Sequence, residues 1–162
     1  MGLYTRTSNI PSADRLATTE LNAQTFYMSN MTPQPYDFNT NIWAELESKV
    51  RSQYMCLDTL YVVTGAYWKN TDTKVGKYPV PTHYYKVFLR TRKGNSGKTV
   101  FDAPADELKC IGFWLSHDAT GNLTSAYCKS VADIEKLTGF TFFPKVNVDK
   151  TQCVASDWGF SN

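Results

Sequence analysis

The sequence predicts an α+β fold in a single domain spanning residues 1–162. Three observations carry this. Ile42, Trp43, Leu46 and Val50 recur at helical spacing in a stretch without Gly or Pro. Runs at 58–64, 82–92 and 109–115 are rich in Tyr, Val, Phe and Leu, residues suited to a pleated surface. The chain is 42% apolar and has no repeat, low-complexity tract or linker, so its material suits one core.

Taken in order, the first 35 residues read as loops and short elements. A weak helical turn covers 18–25 and a strand-like run covers 26–29. Pro33 and Pro35 exclude a helix or an inner strand from the polar segment 30–39. A helix follows over 40–53, with Asn39 or Thr40 as its N-cap. Strand 58–64 leads through a loop at 68–80 to strand 82–92. Residues 92–98 read as a turn, and Lys98 as the entry to a further strand. The third strand, 109–115, contains Cys110, and a short run after a turn places Cys128 to face it across a hairpin. Ser130 and Asp133 form a capping-box pattern ahead of a short helix that ends at Gly139. The tail from Thr141 reads as irregular.

Composition removes several function classes. No apolar run approaches the ~20 residues needed to span a bilayer, so no membrane partner is expected. The N-terminus lacks the basic region and apolar core of a secretory leader. Seventeen basic and fifteen acidic residues leave a net charge of +2, too small to point to nucleic acid by itself. The 14% aromatic content reads as a β-rich core rather than stacking platforms. Four cysteines without a CxxC pair argue against a zinc site and leave disulfide status open. The run 94–99 ends like a phosphate-binding loop but lacks its leading Gly and its strand-to-helix setting. His83 and His117 read as structural or surface residues.

The best chemical signal lies on the first long helix. Asn39, Trp43, Glu47 and Arg51 are spaced four residues apart, along one slowly drifting face. An amide oxygen and a carboxylate can hold a hydrated Mg²⁺, and a guanidinium can fork onto phosphate. By spacing alone, Glu47 and Arg51 are also an ordinary ion pair, and Trp43 reads as core.

Residues 26–47, Phe-Tyr-Met-Ser-Asn-Met-Thr-Pro-Gln-Pro-Tyr-Asp-Phe-Asn-Thr-Asn-Ile-Trp-Ala-Glu-Leu-Glu, resemble the DNA/RNA non-specific endonuclease family. These are the ββα-metal, or His-Me finger, nucleases, whose members include Serratia nuclease and endonuclease G. The shared pattern is SN-x-x-PQ followed by N-x-x-x-W-x-x-LE. Further matches fall at Leu60 to Gly65, at Val-Pro-Thr-His-Tyr-Tyr-Lys-Val from Val80, and at Ser130 to Phe143, in family order. The resemblance runs from Tyr4 to Phe160. It implies a ββα-metal fold with a mostly antiparallel central sheet flanked by helices. It implies a Mg²⁺-dependent hydrolase of phosphodiester bonds in DNA and RNA, secreted or periplasmic in a bacterium. By the same resemblance Asn39 is the metal ligand, and Glu47 orients metal-bound water. Asn30 orders the site and contributes to substrate binding. Arg6 and Arg51 serve the scissile phosphate.

The family's DRGH signature, fixed by its H-x-x-P spacing to Pro11, falls on Thr5-Arg6-Thr7-Ser8. Only Arg6 survives. Ser8 stands where the general-base histidine belongs, and a hydroxyl cannot accept a proton from water at neutral pH. Losing a general base typically costs ~10²–10⁴ in rate. The family domain also extends upstream of this motif, so the chain reads as the C-terminal two-thirds of that domain, with the N-terminal part of the sheet missing. A sheet edge left open this way favours a homo-oligomer. Three explanations stay open: a fragment with a non-native start, a binding or interaction module that does not cut, or a substitute base from His83 or His117. The last is weakest, because the family strand motif already carries the equivalent of His83 without using it.

Overall fold

The computed structural model describes residues 3–161. Met1, Gly2 and Asn162, including the first residues of the leader reading, lie outside it. Its first strand is one the sequence hides. β1 (Tyr4–Ser8) pairs antiparallel with β2 (Met31–Pro35), in register from Tyr4↔Pro35 to Ser8↔Met31. The strand-like run 26–29 is instead a turn and part of a 3₁₀ segment, Met28–Asn30. Pro33 and Pro35 are tolerated in β2 because they sit at alternate positions. The ribbon's flanking backbone bonds, Tyr36 N to Leu3 O at 2.8 Å and Asn9 N to Asn30 O at 2.7 Å, fix the bonded pairs one residue out of step with both prolines.

Between these strands lies α1 (Thr19–Gln24), whose Thr18 hydroxyl accepts from Leu21 N. After β2 comes the long helix α2. It starts at Tyr36, earlier than the spacing predicts, and is not uniform. It runs as α over Tyr36–Phe38, π over Asn39–Trp43, α over Ala44–Lys49 and π over Val50–Tyr54. Pro35 holds the N-cap position, so neither Asn39 nor Thr40 caps the helix. The remaining elements are β3 (Tyr61–Tyr67), β4 (Lys74–Val75), β5 (Tyr78–Pro79), β6 (His83–Thr91), β7 (Leu108–Ser116), β8 (Cys128–Lys129) and α3 (Val131–Thr138). β3, β6, β7 and β8 form the central antiparallel sheet in that order. β4 and β5 make a small hairpin inside the segment expected to be loop.

Two compact units divide the chain. The first comprises residues up to Ser48, Thr64–Tyr84 and Leu115–Leu123. Its core is aromatic: Phe38, Trp43 and Tyr84 meet with ring centroids 5.1–5.8 Å apart, beside buried Ile42 and Leu46. The predicted helical stripe is therefore a core face, and Trp43 belongs to it.

The second unit comprises Lys49–Val63, Tyr85–Trp114 and the residues from Thr124 onward. Here both faces of β6 and β7 are covered, which is why these strands read as nearly continuous apolar runs. Tyr85, Val87, Leu89, Leu108 and Cys110 pack with Val131 and Ile134 of α3 on one face. On the other, Phe88 and Phe113 meet Tyr54 and Trp158. α3 is capped as its sequence predicts: Ser130 Oγ accepts from Asp133 N, and Gly139 takes the left-handed conformation.

Three expectations change in this unit. Phe113, not Cys110, stands opposite Cys128; Cys110 Sγ instead contacts Asp149 O at 3.5 Å, and all four cysteines are free. Lys98 does not open a strand, because residues 100–102 form a turn. The phosphate-loop look of 94–99 also has an internal explanation. Asp58 accepts from Ser96 N at 2.9 Å, Ser96 Oγ at 2.7 Å, Gly97 N at 3.0 Å and the Thr91 hydroxyl. The loop's donors are turned onto a carboxylate of its own chain, with Gly94 and Gly97 supplying positive φ.

Candidate active site

In the first unit the order is strand, strand, helix. Alternation along β1 puts Thr5 and Thr7 on one face of the ribbon and Arg6 and Ser8 on the other. Asn39, one turn into α2, reaches the first face: its Nδ2 donates to Thr5 Oγ1 at 3.2 Å. This leaves Asn39 Oδ1 as an uncommitted hard oxygen. On the same face of the ribbon, Thr7 Oγ1, Thr32 Oγ1 and Gln34 Oε1 are buried without a hydrogen-bond partner among the described residues. Gln34 is 1% exposed. Buried polar oxygens without partners are uncommon, since each costs about 1–3 kcal/mol. By the β1–β2 register these three oxygens share the face that carries Thr5.

Glu47 lies on the α segment of the same helix. The π turn at Asn39–Trp43 matters for its placement. Four residues of α-helix overshoot one turn by about 40°, whereas four residues of the wider π turn fall short of one. The two steps offset, so Asn39 and Glu47 stay closer to one line than a uniform helix would hold them. Arg51 falls in the second unit, on the second π turn.

Ser8 is placed differently. Its hydroxyl donates to Thr25 O at 2.9 Å and contacts Met31 Sδ at 3.7 Å. The alternation of β1 turns it away from the face that Asn39 touches. Asn30 sits on the same side as Ser8 and staples the turns flanking the ribbon. Its Oδ1 accepts from Ile10 N at 2.9 Å, and its Nδ2 donates to Ile10 O at 3.1 Å and Thr25 O at 2.8 Å. Beyond Thr25 is a cavity of about 300 Å³, lined in part by Ile10, Arg15, Gln24 and Asn30. Arg6 is exposed, and its register partner Pro33 accepts the Tyr84 hydroxyl at 2.5 Å. Burial pushes the Tyr84 phenol well above its ordinary value and keeps it a donor.

The histidines gather elsewhere in this unit. His83 Nδ1 lies 3.0 Å from Thr82 Oγ1, His117 Nδ1 2.9 Å from Pro81 O, and His117 Nε2 2.6 Å from Asp118 Oδ1. Burial, then His117 and Lys69, push the His83 imidazole below its ordinary value. Both ring nitrogens of His117 are engaged.

The donor set decides which metal fits. Among the described residues no group of three or more His, Cys, Asp or Glu could hold an ion. An amide oxygen is a hard ligand, suited to a cation that keeps most of its water and not to zinc. Sequence reasoning missed Thr5 and Gln34 on this face. The signal for them was the proline spacing of β2, which fixes the ribbon register.

A β–β–α unit with an asparagine on its helix, attached to an antiparallel sheet, is the architecture of a ββα-metal nuclease. A sequence profile described as DNA/RNA non-specific endonuclease matches residues 10–149, and the chain belongs to that family. It is 30% identical over 159 residues to the mitochondrial nuclease EXOG of Xenopus laevis, covering 91% of this chain and 42% of that protein. Against nuclease C1 of Cunninghamella echinulata var. echinulata the identity is 34% over 170 residues, covering 92% and 63%. Against a nuclease of Nostoc sp. it is 35% over 145 residues, covering 89% and 52%. Among solved structures, a chain from the EndoG/EndoGI complex superposes with a TM-score of 0.72 at 26% identity, covering 93% of this chain and 65% of that one. The chain thus spans about half the length of the curated relatives it matches, and those relatives include both mitochondrial and bacterial proteins.

Proposed function

We infer that the chain carries the metal and phosphate half of a Mg²⁺-dependent endonuclease site for DNA and RNA, with its general base missing. The observation that supports this most directly is Asn39 on the helix against the ribbon of a chain in this family; the Ser8 hydroxyl, which donates to Thr25 O at 2.9 Å, lacks the basicity to take a proton from water. Asn39 Oδ1 and, through water, Glu47 would hold the ion. When bound, Mg²⁺ supplies charge stabilisation at the leaving oxygen of a phosphodiester. A phosphate role for Arg6, exposed on the ribbon face away from Asn39, and for Arg51 rests on the resemblance, as contacts that read backbone rather than bases. Asn30 orders the turns flanking the ribbon, and the resemblance also gives it a part in substrate binding. Self-association and a secreted or periplasmic bacterial setting go with this reading, because a nuclease without base preference is safest away from its host's own nucleic acid.

A second reading has its own support. Ser8 and Asn39 occupy opposite faces of the ribbon, which favours a nucleic-acid-binding or interaction module that retains the fold without cutting.

Plasmid nicking with Mg²⁺ and with EDTA separates the two. The unmodified chain is expected to be inert. On the first reading Ser8→His raises metal-dependent nicking by ~10²–10⁴ and Asn39→Ala abolishes that gain; on the second, position 8 faces away from Asn39 and Ser8→His gains nothing. A Ser8→His chain that stays inert, with undiminished oligonucleotide binding, favours the binder. A parent that cuts, and stops cutting with Asn39→Ala, shows that another group supplies the base.

A further inference from the structure

The segment between β3 and β6 is exposed throughout residues 68–78, yet it is firmly built. Lys69 N donates to Thr82 Oγ1 at 2.9 Å, and Val80 N donates to Thr73 O at 2.8 Å, closing the loop at its base. β4 and β5 close its tip in register Lys74↔Pro79 and Val75↔Tyr78. Two aromatic rings are held at the surface of this frame. Trp68 is 41% exposed, with its Nε1 donating to Pro79 O at 3.2 Å. Tyr78 is 57% exposed, with Lys77 Nζ 5.5 Å from its ring centroid.

Charge is concentrated here as well. Lys69, Lys74 and Lys77 face a single acid, Asp72, giving the segment a local charge of +2, equal to the net charge of the whole chain. The hairpin then runs into β6, whose Tyr84 hydroxyl bonds Pro33 O opposite Arg6. β6, not the hairpin itself, makes that contact with the ribbon.

We propose that the Trp68–Tyr78 hairpin is a binding platform for single-stranded nucleic acid, with unpaired bases stacking on Trp68 and Tyr78 and phosphates neutralised by Lys69, Lys74 and Lys77. Flat rings beside lysines are the general requirement for sequence-tolerant single-strand binding. A duplex keeps its base faces stacked inside and gains only the charge contacts. This inference rests on the nucleic-acid reading above and names a subsite for it.

The test is fluorescence anisotropy of a labelled oligothymidylate and of a blunt duplex, in EDTA to suppress cleavage, over a range of salt. Trp68→Ala should weaken oligothymidylate binding about tenfold and leave duplex binding nearly unchanged. Trp68→Phe, which keeps a stacking face, should retain most of the affinity. Lys74→Ala with Lys77→Ala should lower the slope of log affinity against log salt by about 1.4. Melting curves accompany each variant. Oligothymidylate binding equal to the parent's in Trp68→Ala and in the double lysine variant overturns the platform while leaving the nuclease reading intact. Equal losses in Trp68→Ala and Trp68→Phe, alongside a fallen melting temperature, also overturn it, since the ring would then only brace the hairpin. Hairpin-dependent binding in a chain whose Ser8→His variant never cuts supports the platform and sinks the nuclease reading.

Discussion

At the scale of single residues, the informative cases are polar side chains whose partners lie far away in sequence. Asp58 organises the loop after β6 by accepting from Thr91, Ser96 and Gly97. Those bonds, led by the Thr91 hydroxyl, hold its carboxyl well below the usual carboxylate range. A depressed carboxyl contributes stability above its unfolded value, near 4, and loses it as pH falls towards the folded value. The melting temperature should therefore decline below about pH 4. Asp58→Asn should melt lower at neutral pH and show a flatter acid limb, as read by thermal denaturation against pH. An acid limb identical in both proteins would remove Asp58 from the account. Asn39 and Ser8 teach the same lesson about position. Resemblance assigns them to one site, whereas Asn39 touches Thr5 and strand alternation turns Ser8 to the other face of the ribbon.

At the scale of elements, packing sets what the sequence leaves ambiguous. Gly112 interrupts the apolar run of β7, and a Cβ built there would lie 2.2 Å from Ile134 Cδ1 of α3 and 3.3 Å from Lys129 O. The missing side chain lets the helix approach the strand. Gly112→Ala should cost about 1–3 kcal/mol by overpacking, measured by urea unfolding. Ile134→Val, which deletes the clashing methyl, should recover part of that loss in the double variant, although it costs about 0.5–1.5 kcal/mol alone. Strictly additive losses would place the strain elsewhere. α3 was legible because its signals are local: Ser130, Asp133 and Gly139 lie within ten residues and act on the helix they bound. β1 was not, because Tyr4-Thr-Arg-Thr-Ser has no apolar face and takes its shape from a partner strand more than twenty residues away. The start of α2 was misplaced for a related reason. The capping rule favours Asn39 and Thr40, but Pro35 ends the extended ribbon and leaves the next residue free to begin the helix.

At the scale of the whole molecule, the candidate metal site should appear as a modest linkage. An ion held by one amide oxygen and retained water binds weakly, and it stabilises only in proportion to its excess over Kd. At tenfold excess the gain is about 1.4 kcal/mol. A thermal-shift titration with Mg²⁺ should show a small saturable rise that Asn39→Ala removes, with EDTA reversing it. A rise of the same size in Asn39→Ala would assign the ion to another place. No helix among the described residues is long and apolar enough to cross a membrane.

The sequence by itself determined the α+β class, the three long strands, the capped helix α3 and the family, because each rests on local periodicity or on motifs carried intact along the chain. It also located Asn39, Glu47 and Ser8 as positions. Only the tertiary structure decided what Asn39 and Ser8 touch. The β1–β2 register, the π turn beneath Asn39, the unsatisfied oxygens of Thr7, Thr32 and Gln34 and the Thr25 carbonyl that engages Ser8 all arise from segments brought together across the fold. A side chain's direction in a strand alternates with each residue, so a motif fixes which residue is present while pairing with a distant strand fixes the face on which it acts.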